Sequence, residues 1–218
     1  MKLVIFGNTK YARMIAYYFS SDSSYELIAF TVHKDFINEH NIDGLPVVDF
    51  ESLSSLYPPD EYCLFIALGY GNMRFRRSIF NLTKSYGYKH ANYISSKSSV
   101  DKTLIFGENN LILHGAVIEP FVTIGDNVCI NSGTVICHHS IISNHCFIAA
   151  GCVVGGNVNI RENSFLGFNS TILQKSVLAT ETLISANSMV TKNTEPSTRY
   201  QGIPAKPYSQ HLDNGIKI

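Results

Sequence analysis

Short apolar runs alternate with helical patterns up to about residue 95. KLVIF at 2–6, ELIAFTV at 26–32 and YCLFIALG at 62–69 read as strands. YARMIAYYF at 11–19, DFESLSSLY at 49–57 with Asp49 as its N-cap, and the stretch after Asn72 carrying Met73, Ile79, Phe80 and Leu82 read as helices. This alternation predicts a small parallel α/β sheet whose ligands sit beyond the carboxyl ends of the strands, at residues 7–11, 31–34 and 69–72. The first of these turns, GNTKYA, has Gly7 but lacks the later glycines of GxGxxG, which argues against a dehydrogenase-type dinucleotide site.

Beyond that point the alternation stops and a period of six takes over: VTIGDN, VCINSG, TVICHH, SIISNH, CFIAAG, CVVGGN and onward. Every sixth residue from Ile112 to Val190 is aliphatic, without exception. Two places before each, from Val122 to Ser188, only Val, Thr, Ser and Cys occur, as the narrow part of a prism requires. Such a hexapeptide repeat predicts a parallel β-helix with three six-residue faces and an 18-residue coil. The chain is therefore expected to hold an α/β domain over 1–95 and a β-helix with a C-terminal tail over 96–218.

Composition narrows the partners. Seventeen basic and seventeen acidic side chains cancel, leaving no electrostatic footprint for nucleic acid or an anionic membrane. The first apolar run breaks at Gly7, too early for a signal segment or membrane span, so a cytoplasmic location is expected. Five cysteines, an odd number, argue against a disulfide framework, and Cys146 and Cys152 fall at the small inward place of the repeat, where packing is their expected role.

Candidate chemistry concentrates in VICHHSIISNHCF, residues 135–147. His139 and His145 are six apart and so belong to different corners of the prism, which disfavours a zinc site within one chain because zinc needs convergent ligands. His138 is one coil from Gly156, at 138 + 18. An imidazole beside a glycine N–H supplies a base and an oxyanion donor together, the minimal equipment for acyl transfer to an amine or hydroxyl. The plain alternative for His138 is a solvated corner residue.

The residues FGN, IALGYGN, YISSKSSV, HHSIISNHCFIAAGCVVGGNVNIRENSFLGFNS and YQGIPAKP together resemble the two-domain hexapeptide-repeat sugar acetyltransferases. These include sialic acid O-acetyltransferases and nucleotide-linked amino-sugar N-acetyltransferases of the bacillosamine-pathway type. The resemblance implies a left-handed β-helix, a homotrimer, and acetyl-CoA lying between neighbouring β-helices, with no metal. It implies that His138 is the general base and that the amide of Gly156 meets the acetyl carbonyl. Phe168 and Ala186 would contact the coenzyme through main-chain atoms, and Lys206 either meets a coenzyme phosphate or is simply solvated. Thr9, Lys10, Tyr11 and Gly69 would hold the substrate nucleotide.

Three positions depart from the family pattern. His139 stands where the bacillosamine-type enzymes carry a carboxylate that raises the base's strength, and is counted with the catalytic residues. Instead of an acidic pair after the second strand, FTVHKD offers His33 and Asp35, so His33 joins the substrate-binding set. Phe147 replaces a second coenzyme-facing histidine. The expected activity is acetyl transfer from acetyl-CoA to the amino group of a dTDP- or UDP-linked amino-deoxy sugar, feeding surface polysaccharide such as lipopolysaccharide O-antigen. The alternatives are O-acetylation of a sugar hydroxyl at the same site, a metal-dependent hydrolase or lyase on the same prism, and a purely structural β-helix.

Overall fold

A computed structural model describes the whole chain, residues 1–218. Its contacts divide into two units, Met1–Gly69 with Ser78–Tyr93, and Tyr70–Arg77 with Ile94–Ile218. The segment Tyr70–Arg77, which the alternation groups with the α/β half, thus belongs to the second unit. No helix is long and apolar enough to cross a membrane.

In the first unit the order is β1 (Lys2–Phe6), α1 (Lys10–Ser21), β2 (Glu26–Val32), β3 (Asn41–Ile42), β4 (Leu45–Asp49), α2 (Leu53–Leu56) and β5 (Tyr62–Ile66). The sheet order is β3-β4-β2-β1-β5, with β1 parallel to both β2 and β5. Chain order reverses at β1, so the carboxyl ends of β1 and β5 flank a switch point, the usual place for a ligand in such sheets. Helix α1 buries Ala12, Ile15, Ala16 and Phe19, the i, i+3, i+4, i+7 stripe of a helix lying on a sheet. Phe19 meets Phe65 edge-on at 5.1 Å, and a second core gathers Val4, Phe6, Phe50, Leu64, Ile79 and Phe80.

Two local features differ from the sequence expectation. Asp49 does cap, accepting from the Ser52 N–H at 2.7 Å, but a 3-10 turn over Phe50–Ser52 precedes a four-residue α2. Pro58 and Pro59 explain the early stop, since a residue before proline is pushed out of the helical region. The hairpin of β3 and β4 turns on Asp43 and Gly44, both at positive φ (51° and 88°), a Asp-Gly signal present in the sequence and not read there.

The second unit is the anticipated prism. Two-residue strands stack on three faces, and each pairs in parallel with the strand 18 residues on: Val117 with Val135, Val135 with Val153, Val153 with Thr171. The aliphatic sixth residues form one continuous core, none more than 2% exposed. Each such side chain contributes roughly 1.5–3 kcal/mol of burial free energy, and the repeat makes the column unbroken. The small inward residues satisfy their own polar atoms: Thr134, Ser140, Cys146, Cys152 and Ser164 each donate to the carbonyl fifteen residues on. That shared bond explains why Ser, Thr and Cys interchange there. Burial pushes the Cys146 thiol up to about 12, leaving a packing group in place of a nucleophile.

Each corner is turned by one residue in the left-handed region, at every sixth position from Asn109 to Asn187. Asparagine dominates these places and histidine fills two, His139 (φ 59°) and His145 (φ 63°), both residue types being enriched in that conformation. A hairpin of Thr198–Gly202 and Ala205–Gln210 then closes the third face, with Leu183 pairing to Arg199.

Candidate active site

His138 and His139 stand exposed on the corner that follows the first face, whose strands include Val135–Ile136 and Val153–Val154. The coil register sets Gly156 directly against the imidazole of His138. A Cβ added at Gly156 would lie 2.8 Å from Cε1 and 2.9 Å from Nε2 of that ring. A side chain at 156 would therefore displace the histidine ring lying over it, whereas the backbone conformation itself does not call for glycine. On either side, the Gly155 N–H donates to the Ile172 carbonyl and the Asn157 N–H to the His138 carbonyl. The ladder skips the Gly156 N–H between them.

The two imidazoles are joined, Nδ1 to Nδ1, at 3.1 Å with their rings nearly perpendicular at 85°. His139 leans on Phe121, one coil earlier, with ring centroids 4.9 Å apart. Glu119 on the preceding coil accepts the His138 main-chain N–H at 2.8 Å, which steadies the corner. Burial, with the Glu119 carboxylate beside it, raises the Cys137 thiol above its ordinary value. Sequence reasoning passed over Glu119, although the 18-residue register sets it against Cys137.

His145 is on another corner, as its spacing required. It lies in a column of left-handed corner residues where Asn109 donates to Asn127, and the Asn127 amide meets His145 Nδ1 at 3.0 Å. Burial, reinforced by the Arg76 and Arg77 charges, holds its imidazole down at about 4, so it is a neutral structural member. No group of three His, Cys, Asp or Glu side chains converges anywhere in the chain.

Phe168 and Ala186 share the corner that follows the third face. They line a cavity of about 320 Å³ with Tyr70, Phe165, Arg199 and Lys217. Ala186 also borders an adjoining cavity of about 640 Å³ that includes Lys206 and Tyr208 from the tail hairpin. The cations Arg199 and Lys217 were not singled out from sequence, because only the folded tail brings them beside Phe168. One chain therefore gathers its marked residues at two corners, His138 with Gly156 and Phe168 with Ala186, on either side of the first face.

In the first unit, Thr9 caps α1 by accepting from the Ala12 N–H, with Lys10 and Tyr11 following on its first turn. Tyr11 lies 4.0 Å from where a Gly69 Cβ would sit, so the ends of β1 and β5 meet as the switch-point argument requires. Gly7 permits that meeting: its φ is +135°, and any Cβ would strike the Ala67 carbonyl at 2.9 Å. His33, after β2, is held by Glu51 at 2.8 Å and packs edge-on against Phe6 and Phe50. Glu51 also accepts the Lys34 N–H at 3.2 Å, and this contact with His33 draws the carboxyl below its usual range. Carboxylate at the end of β2 thus comes from the 3-10 turn, not from the strand itself.

Residues 2–83 match the PglD N-terminal domain, and residues 105–138 the bacterial transferase hexapeptide (six repeats). Among solved structures, the acetyltransferase domain of PglB from Neisseria gonorrhoeae FA1090 superposes with a TM-score of 0.85 at 22% identity, covering 95% of this chain and 99% of that one. PerB from Caulobacter crescentus, in complex with CoA and GDP-perosamine, gives 0.86 at 22% identity over 96% and 98%. WeeI from Acinetobacter baumannii AYE gives 0.82 at 19% identity over 95% and 100%. At these identities the likeness is one of fold, and it runs through both units. The fold is thus an α/β domain, similar over 2–83 to the PglD N-terminal domain, followed by a left-handed β-helix, similar over 105–138 to the bacterial transferase hexapeptide repeat.

Proposed function

We propose that this protein is an acetyl-CoA-dependent N-acetyltransferase acting on the amino group of a nucleotide-linked amino-deoxy sugar. The observation that carries the reading is the contact of His138 with Gly156. An acetyl carbonyl approaching the Gly156 N–H comes within reach of His138 Nε2, so one place offers an oxyanion donor and a proton acceptor. The amine lone pair attacks the thioester carbon, and the resulting oxyanion rests on the Gly156 N–H. The C–S bond then breaks, and the ammonium proton passes through His138 Nε2 to the departing sulfur. No step needs a metal or a covalent enzyme intermediate.

PglB acetyltransferase has been captured with acetyl coenzyme A and PerB with CoA and GDP-perosamine, which supports the same pairing of coenzyme and amino sugar here. The coenzyme is assigned to Phe168, Ala186 and Lys206 and the nucleotide to Thr9, Lys10, Tyr11, His33 and Gly69, with dTDP or UDP as carrier. A homotrimer is supported by two features: the coenzyme residues and the base occupy different corners of one prism, and apolar Phe121, Ile141, Val153 and Leu173 are exposed around His138. A neighbouring copy would cover that apolar band and complete the groove. The reaction belongs to cytoplasmic synthesis of precursors for surface polysaccharide such as O-antigen.

The test is thiol release from acetyl-CoA with dTDP-, UDP- and GDP-linked 3-amino and 4-amino deoxy sugars, with hydroxyl-only analogues alongside. Turnover confined to amino sugars supports the reading and names the carrier. Turnover on the hydroxyl analogues would replace it with O-acetylation, and silence throughout would overturn it.

A further inference from the structure

We propose that His139 is a positioning residue, an uncharged acceptor that keeps the His138 proton on Nδ1 and leaves Nε2 bare toward Gly156. The inference rests on His138 as the base. Two Nδ1 atoms 3.1 Å apart share a single proton, so one ring donates and the other accepts. A base that works through Nε2 must carry its own proton on Nδ1. His139 then accepts through Nδ1 and holds its proton on Nε2.

The structure fixes His139 in that orientation from three sides. Its left-handed φ of 59° forms the corner, its N–H donates to the Pro120 carbonyl at 3.2 Å, and its ring leans on Phe121. Around the pair, the preceding coil contributes Glu119, the same coil Cys137, and the following coil only Gly156 and Asn157. Glu119 accepts the His138 main-chain N–H and meets the Cys137 thiol. The imidazole of His138 therefore has an imidazole, not a carboxylate, as its hydrogen-bond partner.

A neutral partner orients the base without adding a negative charge to the imidazolium that forms during transfer. That arrangement serves an amine bound in its uncharged form, whose attack creates an acidic ammonium that a base of moderate strength can relieve. A hydroxyl, which must lose its proton as it attacks, would gain more from a charged partner. The substrate class favoured by this pair is thus an amine delivered unprotonated.

The experiment combines tautomer assignment with variants of His139. Long-range proton–nitrogen NMR of the free protein near neutral pH should show His138 protonated on Nδ1 and His139 on Nε2; the reverse assignment overturns the proposal whatever the substrate proves to be. His139→Phe, whose side-chain type already occupies the same corner position at Phe121, should keep the fold and lower kcat by about tenfold. His139→Asn, which restores an uncharged acceptor, should recover most of that loss. His139→Glu should move the acid limb of the kcat/KM profile up by about one pH unit, because a carboxylate favours the imidazolium. A kcat unchanged in His139→Phe, or an acid limb that stays put in His139→Glu, would show that His139 only fills the corner. Wild-type enzyme silent on every amino sugar would sink the acetyltransferase reading separately, and the spectrum would still decide the pair.

Discussion

Single residues at the corners of the prism carry the proposed chemistry at one place and stability at another, and two substitutions separate these roles. Gly156→Ala adds a methyl 2.8–2.9 Å from the His138 ring, which is exposed and free to swing away. Thermal stability should therefore hardly change, while kcat falls roughly 10²-fold through displacement of the proposed base. Equal losses in kcat and in melting temperature would show that the glycine serves the fold alone. At the next corner, His145 is neutral in the folded protein, with its value lowered from 6.5 to about 4 mainly by burial. As pH falls below the ordinary imidazole value, the unfolded chain takes up a proton that the folded protein refuses, so stability drops until about pH 4. Each pH unit in that window removes up to about 1.4 kcal/mol. Asparagine occupies the equivalent corner at 127 and 163, so His145→Asn should fold normally and flatten the decline in melting temperature between pH 7 and pH 5.

Elements depend on contacts that the repeat itself does not contain. The first turn of the helix Met73–Ser85 is tied into the second unit by Arg74, which grips both oxygens of Glu181 at 2.7 Å. Glu181 is nearly buried, also accepts from Asn163 at 2.8 Å, and is held below its usual range chiefly by that arginine. Arg74→Ala leaves a buried carboxylate with only neutral partners, the Asn163 amide at 2.8 Å and the Ser197 hydroxyl at 3.4 Å. The expected loss is about 2 kcal/mol by denaturant unfolding, below the figure for fully buried pairs because Arg74 is about one-third exposed. Its pH dependence runs the same way as that of His145: stability from the depressed carboxyl is present above the ordinary Glu value and lost as pH falls through the folded one. Along the prism, Ile148→Ala empties a fully buried place in the column and should cost about 3 kcal/mol, a loss that an exposed residue such as Ile105 would not show.

At the scale of the whole molecule, the separation of His138 from Phe168 onto two corners makes assembly the testable issue. Sedimentation equilibrium should return three copies of the chain. Ile141→Lys, placed in the exposed apolar band next to the active corner, should yield folded monomers with little transfer activity. Full activity in a monomer would refute the shared groove.

Period alone determined most of this architecture. Aliphatic residues at every sixth place from Ile112 to Val190 set the faces, the coil length, the separate corners of His139 and His145, and the meeting of His138 with Gly156, because in a regular prism sequence distance is spatial distance. Strands β1, β2 and β5 were equally legible, since burial on a sheet writes itself as local apolar runs; β3 and β4 were not read, although Asp43-Gly44 signalled their hairpin, and the shortened α2 was signalled by proline residues. Tertiary structure alone decided the proton-sharing contact of the two Nδ1 atoms, the capture of His33 by Glu51, the reach of Arg74 to Glu181 across 107 positions, and the placing of Arg199 and Lys217 beside Phe168. Those contacts depend on rotamers and on segments distant in the chain, and no local periodicity records either.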